Sequence, residues 1–326
     1  MRQPERTKTS FFDLAWRPTV FLAGTGRSGT TWVEEIINWR HDYRVIFEPF
    51  YPARVPLCGV FPETTYLRAD EPAPDHYRAA RTVVSGRFRN SWTDQFNHRR
   101  IYRKRLIKDV RANLFLHWLH RRFPALPIVF LVRHPCAVVV SQQKALWRPS
   151  AAEFLEKPAL VSDYLEPFVN VIQSVEDDFD QKVIAWCVKN FVPLQQFRRG
   201  EMLVMFYEDL VTEPETEIRR LFEFLGQTFT PEALAQWKRP SALVRADSAI
   251  VTGDDSLNAW RRHLTGKQIG RAVSLLREFG LDRLYGAESS PRIRPDEVLT
   301  DHRHAAGRPS RQVQPALARL PSGDGS

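Results

Sequence analysis

Val20-Phe-Leu-Ala-Gly24-Thr-Gly26-Arg27-Ser28-Gly29-Thr30-Thr31-Trp32 reads as a short apolar strand, a glycine-rich turn and the start of a helix. Glycine lets the backbone turn sharply and approach a ligand closely. The first turn of a helix has free N–H groups and a partial positive charge, so it attracts anions. The stretch predicts a phosphate-bearing ligand.

Working outward, apolar β-rich runs over 20–23, 43–47, 106–109, 127–132 and 201–207 alternate with helical spacing over 30–39, 112–123, 135–146, 179–197, 215–225, 232–237 and 267–279. This alternation predicts an α/β fold, a parallel sheet with right-handed crossovers. Ligands in such sheets bind beyond the carboxyl ends of the strands. The polar groups expected on that rim are the loop from Gly24, Glu48, Lys108 with Asp109, Arg133, and Tyr207 with Glu208. Pro193 is expected to kink or end its helix. Residues 50–100 and 148–178 have no clean periodicity and read as irregular insertions, long enough to be binding elements or lids. Residues 1–17 read as a loose N-terminal arm, 18–286 as the folded domain, and the Ser-, Pro-, Arg- and Gly-rich 287–326 as a disordered tail.

The 326 residues carry 47 Lys and Arg against 38 Asp and Glu, a formal charge of +9. That balance favours anionic partners without choosing among nucleotides, polyanionic sugars, membranes and nucleic acid. The arginines between 81 and 105 read as a solvated charged face, so no nucleic-acid partner is expected. No stretch approaches the roughly 20 apolar residues of a membrane span. The first residues lack an apolar signal region. Cys58, Cys136 and Cys187 are too few and too far apart for a disulfide framework. A soluble, cytoplasmic protein is expected. His117 and His120 lack further ligands in ordered spacing, so no metal is expected.

The glycine loop fits three templates. Gly24-x-Gly26-x-x-Gly29 is the dinucleotide fingerprint, with Glu48 about where that motif places an acid for a ribose. Gly24 to Thr31 also follows the P-loop pattern, except that Thr30 replaces the lysine that neutralises β- and γ-phosphates. The third template is a P-loop adapted to a 5′-phosphosulfate, with Arg27 early in the loop and hydroxyls at Ser28, Thr30 and Thr31. A second motif, Ile128-Val-Phe-Leu-Val-Arg133-His-Pro135-Cys-Ala-Val-Val-Val-Ser141, sets an arginine at a strand end and a serine about two helical turns later. A guanidinium suits bidentate phosphate binding. A dinucleotide enzyme has no need of it there, whereas 3′-phosphoadenosine 5′-phosphosulfate (PAPS) has a separate 3′-phosphate.

With both motifs in order, the chain resembles the PAPS-dependent sulfotransferases. Phe206-Tyr-Glu-Asp-Leu-Val211 and Ala259-Trp260-Arg261-Arg262-His-Leu264 resemble further segments of that family. The resemblance implies a three-layer, P-loop NTPase-like sheet with helices on both faces. It implies Gly26, Arg27, Ser28, Gly29, Thr30, Thr31 and Trp32 at the 5′-phosphosulfate, with Arg133 and Ser141 at the 3′-phosphate. Tyr207 is expected on the adenine side, and Trp260, Arg261 and Arg262 over the nucleotide. The cytosolic small-molecule branch has Lys where Arg27 stands and a catalytic His where Val110 stands. Phe47-Glu48-Pro49 is closer to the carbohydrate and tyrosyl-protein branches, in which a Glu at this spacing serves as base. Glu48 is the expected base, Arg27 the cation at the transferred group, and Lys108 an assisting cation. No metal is needed, because no triphosphate charge has to be offset. The acceptor is expected to be a hydroxyl of a carbohydrate, a lipid-linked or a small molecule, held by residues 50–100 and 148–178. A P-loop kinase or NTPase, and a catalytically silent nucleotide-binding protein, are the alternatives.

Overall fold

The computed structural model describes residues 11–15, 19–239 and 257–300. Its centre is a sheet of five strands: β1 (Val20–Gly24), β2 (Tyr43–Phe47), β3 (Lys104–Asp109), β4 (Ile128–Val132) and β5 (Leu203–Phe206). All pairings are parallel and the order is β2-β3-β1-β4-β5. Strands β2 and β3 therefore lie on one side of β1, and β4 and β5 on the other. Loops diverge above β1, which opens a crevice at its carboxyl end.

The strands alternate between two apolar layers. Phe21, Ala23, Ile46, Ile107, Phe130 and Phe206 face one side, and Val20, Leu22, Leu106, Val129, Leu131 and Met205 the other. Helices α1 (Thr30–Ile37), α7 (Pro214–Phe224) and α8 (Pro231–Trp237) cover the second face, with α6 (Tyr207–Thr212) following β5 directly. The first face is covered by α2 (Pro74–Val84), α3 (Leu116–Arg122), α4 (Pro135–Lys144), α5 (Asp178–Gln196) and α9 (Gly266–Glu278). Both layers exclude water from apolar side chains, the main driving force for such a fold.

Several expectations need correction. Pro193 neither ends nor breaks α5, which runs on to Gln196. Proline lacks the N–H that would bond the carbonyl of Lys189, and Asn113 Nδ2 donates to that carbonyl instead, at 2.9 Å. The strand expected over 201–207 stops at Phe206, and Tyr207 to Leu210 already belong to α6. Residues 148–178 are a chain of short helical turns rather than irregular. Within the expected loose arm, Phe12–Asp13 pairs in parallel with Ile101–Tyr102. Within the expected disordered tail, Pro295–Glu297 is a 3-10 turn, and Val298 and Leu299 are buried in the core. Residues 1–10, part of 253–265 and 301–326 lie outside the described residues.

The edge strand β2 is covered. Thr93 O accepts from Phe47 N at 2.9 Å, and the Asn97 amide bonds both N and O of Val45. Such covering removes an open edge. Arg44, fully buried, reaches Asp13, Asp94 and the carbonyls of Gly86 and Phe88. Its removal would leave Asp13 with Arg105 alone, take the cation from Asp94 and orphan the Gly86 and Phe88 carbonyls, so Arg44→Ala is expected to lower stability by about 3–5 kcal/mol. The readout is the denaturant midpoint at constant m-value, and an unchanged midpoint would refute it.

Candidate active site

The turn after β1 is wound tightly. Ser28 N and Oγ both donate to Thr25 O, at 3.1 and 2.6 Å. The Ser28 hydroxyl and backbone N–H are thus both spent inside the loop, which they hold in its tight turn. Arg27 and Gly29 have φ of 78° and 100°, and Gly29 is the residue from which α1 starts. No acidic residue lies in the first turn of α1, so the positive end of the helix is unopposed. A Cβ on Gly29 would stand 2.7 Å from the Tyr207 ring, and one on Gly24 2.6 Å from Leu131 O.

The second motif docks on this loop through three hydrogen bonds. Arg27 Nε donates to Ser141 Oγ at 2.9 Å, Gln142 Nε2 to Gly26 O at 3.2 Å, and Arg133 Nη1 to Arg27 O at 3.4 Å. The Arg133 guanidinium lies 3.9 Å above the Tyr207 ring, and Trp186 Nε1 donates to Arg133 O at 3.0 Å. Tyr207 also meets Trp32, whose own Nε1 is bonded to Trp237 O. Trp32 is therefore a buried wall behind the loop. Thr30 is buried, and Thr31 is half-buried. Arg27 thus leans toward Ser141, a residue of the expected 3′-phosphate subsite, although the sequence set it at the transferred group.

On the other side of the loop, Lys108 Nζ donates to Glu48 Oε1 at 2.7 Å and Arg111 Nη1 to Glu48 Oε2 at 2.9 Å. Arg111 Nε also donates to Glu63 Oε1 at 2.9 Å. Burial pushes the Glu48 carboxyl up, but Lys108 and Arg111 outweigh it and hold the group below the usual carboxylate range. Glu48 has φ of 42°, a left-handed position uncommon outside glycine. Asp109 points to the opposite face of β3. It accepts from Phe50 N, Arg111 N and Ala112 N, and burial raises its pKa to about 6. A Lys108–Asp109 pair is not formed.

Trp260, Arg261 and Arg262 lie on a 3-10 turn, Ala259–His263. Trp260 is buried and stacked on His134, with ring centroids 4.6 Å apart. His134 Nδ1 accepts from Cys136 N, and its Nε2 is bonded to Gly286 O. Burial pushes the His134 ring down to about 4, so it is a neutral structural group. Arg261 donates to Ala287 O and Ser289 Oγ, and Arg262 is exposed. Glu208 accepts from His134 N and Tyr285 O–H, fastening the second motif to the C-terminal segment.

A cavity of about 360 Å³ opens from Thr25 and Gly26 past Val110 and Arg111. Glu63 and Thr64 reach it from the first insertion, and Arg148, Glu153 and Phe154 from the second. Trp147, Trp186 and Lys189 complete its wall. Sequence reasoning missed Arg111, Gln142, Trp147 and Trp186. Arg111 lies three residues beyond Lys108 and Gln142 next to Ser141, so position gave a signal for those two; the tryptophans gave none.

Buried polar groups normally have partners. Around this loop Thr25 Oγ1, Arg133 Nε and Gln142 Oε1 have none. Thr25 Oγ1 and Arg133 Nε can donate to an anionic ligand beside the helix N-terminus, whereas Gln142 Oε1 can only accept, from a ligand hydroxyl or amine. Among the described residues no group of three His, Cys, Asp or Glu side chains could hold a metal ion, and no helix is long and apolar enough to cross a membrane.

A parallel 2-3-1-4-5 sheet with a glycine loop after its central strand is an α/β fold of the P-loop kind. Residues 18–231 match the sulfotransferase family, and the chain belongs to that family. Human carbohydrate sulfotransferase 6 is 30% identical over 220 residues, 61% of this chain and 53% of that protein. The chain thus spans about half the length of that relative. Among solved structures, a sulfotransferase domain from the Synechococcus PCC 7002 olefin synthase is 14% identical, with 86% of this chain and 98% of that one covered and a TM-score of 0.43. Retinol dehydratase in complex with androsterone and the inactive cofactor PAP is 17% identical, with 82% of each chain covered and a TM-score of 0.40.

Gly29→Ala adds a strained φ and a clash with Tyr207. Since left-handed backbone alone costs roughly 1–2 kcal/mol, Gly29→Ala is expected to lower stability by at least about that much, read as a lower denaturant midpoint. An unchanged midpoint would refute it.

Proposed function

We propose that this protein is a PAPS-dependent sulfotransferase that moves a sulfuryl group in line to an acceptor hydroxyl. The observation that carries the reading is the docking of Arg133, Ser141 and Gln142 onto the glycine loop, with buried unsatisfied groups left beside it. Backbone N–H groups of Gly26, Arg27, Gly29, Thr30 and Thr31 would hold the 5′-phosphosulfate, Ser28 N being engaged by Thr25 O. Arg133 and Ser141 would hold the 3′-phosphate, and Arg27 would serve both ends. Tyr207 would bound the adenine side, and the cavity between the insertions would take the acceptor. PAPS, when bound, supplies the sulfuryl group and a 5′-phosphate leaving group. The acceptor hydroxyl is that of a carbohydrate, a lipid-linked or a small molecule.

Glu48 is the base in this reading. Lys108 and Arg111 keep it ionised, so it is in the proton-accepting form, but both of its oxygens are engaged. Lys108 is the partner that lets go, because charge developing on the leaving oxygen attracts its ammonium. Release of Oε1 raises the basicity of Glu48 as the hydroxyl attacks.

Calorimetric titration with adenosine 3′,5′-bisphosphate (PAP) beside ATP and NAD tests the nucleotide assignment. PAP is expected to bind most tightly, and a preference for ATP or NAD would overturn it. Arg133→Ala should weaken PAP about ten- to a hundredfold, the loss of a charged hydrogen-bonding partner. Glu48→Gln should keep PAP affinity and slow sulfuryl transfer by about 10²- to 10⁴-fold. Normal turnover by that variant would remove Glu48 as the base.

A further inference from the structure

Helix α1 hides an acid that the mechanism above does not use. Glu34 lies one helical turn beyond the glycine loop, is only 4% exposed, and its Oε2 has no hydrogen-bond partner. It sits in a helix whose other buried residues are Thr30, Trp32, Val33, Ile36 and Ile37. Lys108 is on the same side of β3 as Leu106, which packs against α1. The charged groups facing Glu34 are therefore Lys108 and Glu48, together with Glu35 on its own helix. β1 contributes no charge, and Glu232 of α8 is exposed at that helix's start. An isolated buried carboxylate is costly, so such a group keeps its proton. Burial raises the Glu34 pKa to about 8, against the pull of Lys108.

We infer that Glu34 is a positioning residue that, by keeping its proton, leaves Lys108 committed to Glu48 and available to the anionic group bound at the glycine loop. The cluster is then one ammonium shared by one ionised and one neutral carboxyl. When Glu34 ionises, Lys108 is held between two carboxylates, and a second negative charge stands behind the anion-binding loop. The sign follows. Glu34 is neutral below about pH 8 and ionised above it, so nucleotide binding and turnover weaken as pH rises through that range. An anion bound nearby favours the protonated form, so binding near pH 8 draws a proton from solution.

This inference rests on reading the loop as the PAPS site, and PAP binding to the intact protein tests the two separately. Calorimetry at pH 8 in HEPES and in Tris, buffers of different ionisation enthalpy, reads protons taken up on binding. Wild type is expected to take up as much as about half a proton more than Glu34→Gln, the ionised fraction at a pH equal to the pKa. Between pH 7 and 9 its PAP affinity should fall several-fold, while that of Glu34→Gln stays nearly flat. Glu34→Met, which removes the acid and keeps the volume, should behave as Glu34→Gln does. Equal proton uptake and equal pH dependence in wild type and variants would overturn the inference and leave PAP binding intact. Failure of both variants to fold would make Glu34 a structural residue and overturn it as well. Failure of wild type to bind PAP would overturn the nucleotide reading and this inference with it.

Discussion

The level at which the five strands stop is the constraint on which the site depends. Parallel pairing sets Ala23 beside Asp109, Gly24 beside Leu131, Phe47 beside Lys108 and Val132 beside Phe206. The residues that follow, Thr25, Glu48, Arg111, Arg133 and Tyr207, therefore emerge along one rim although they span most of the domain in sequence. A slip of one residue in any strand would turn its side chains to the other face. Lys108 would then leave α1 and Glu48, and Asp109 would take its place. The apolar alternation of the strands holds the register, so the two core layers position the chemistry.

Two residues of the same rim carry strained backbone. Arg27 and Glu48 are two of the few non-glycine residues with positive φ. Each such residue costs roughly 1–2 kcal/mol relative to relaxed backbone, and it persists where the surroundings over-determine it. For Arg27 those surroundings are visible: Arg133 holds its carbonyl and Ser141 its side chain. For Glu48 they are the Lys108 and Arg111 bonds and the Glu48 N to Lys108 O bond of 2.7 Å. Phosphate loop, second motif and carboxylate are thus one mechanical unit.

What the sequence made legible was local. Unbroken apolar runs marked strands buried on both faces, and the residue after each run marked the rim. Non-local features were not legible. Nothing in the spacing around Pro193 announces that Asn113, far away in the chain, will satisfy the carbonyl it strands. Val298 and Leu299 lie in a stretch whose composition reads as disorder, yet two apolar side chains suffice to anchor it once a core edge is available. Asp13 is hidden for the same reason, because its value lies in Arg44 and Arg105. At the site, Glu48 was readable as a rim acid. Its double clamp was not, because Arg111 reaches it from beyond the turn that follows β3.

That clamp changes how the carboxylate has to work. An acid tuned upward chiefly by burial, as Glu34 is, makes a better base but spends much of its time protonated near neutral pH. Glu48 is tuned the other way, toward the ionised form, and is weak as a base while both cations touch it. As the base we propose, such a group serves only if one cation has a competing attraction that appears during the reaction, and that cation would be Lys108. Arg111 is tied to Glu63 as well and would keep the carboxylate aimed while Lys108 shifts. Ionisation and timely basicity would then be compatible, which neither a solitary buried acid nor a fully solvated one would achieve.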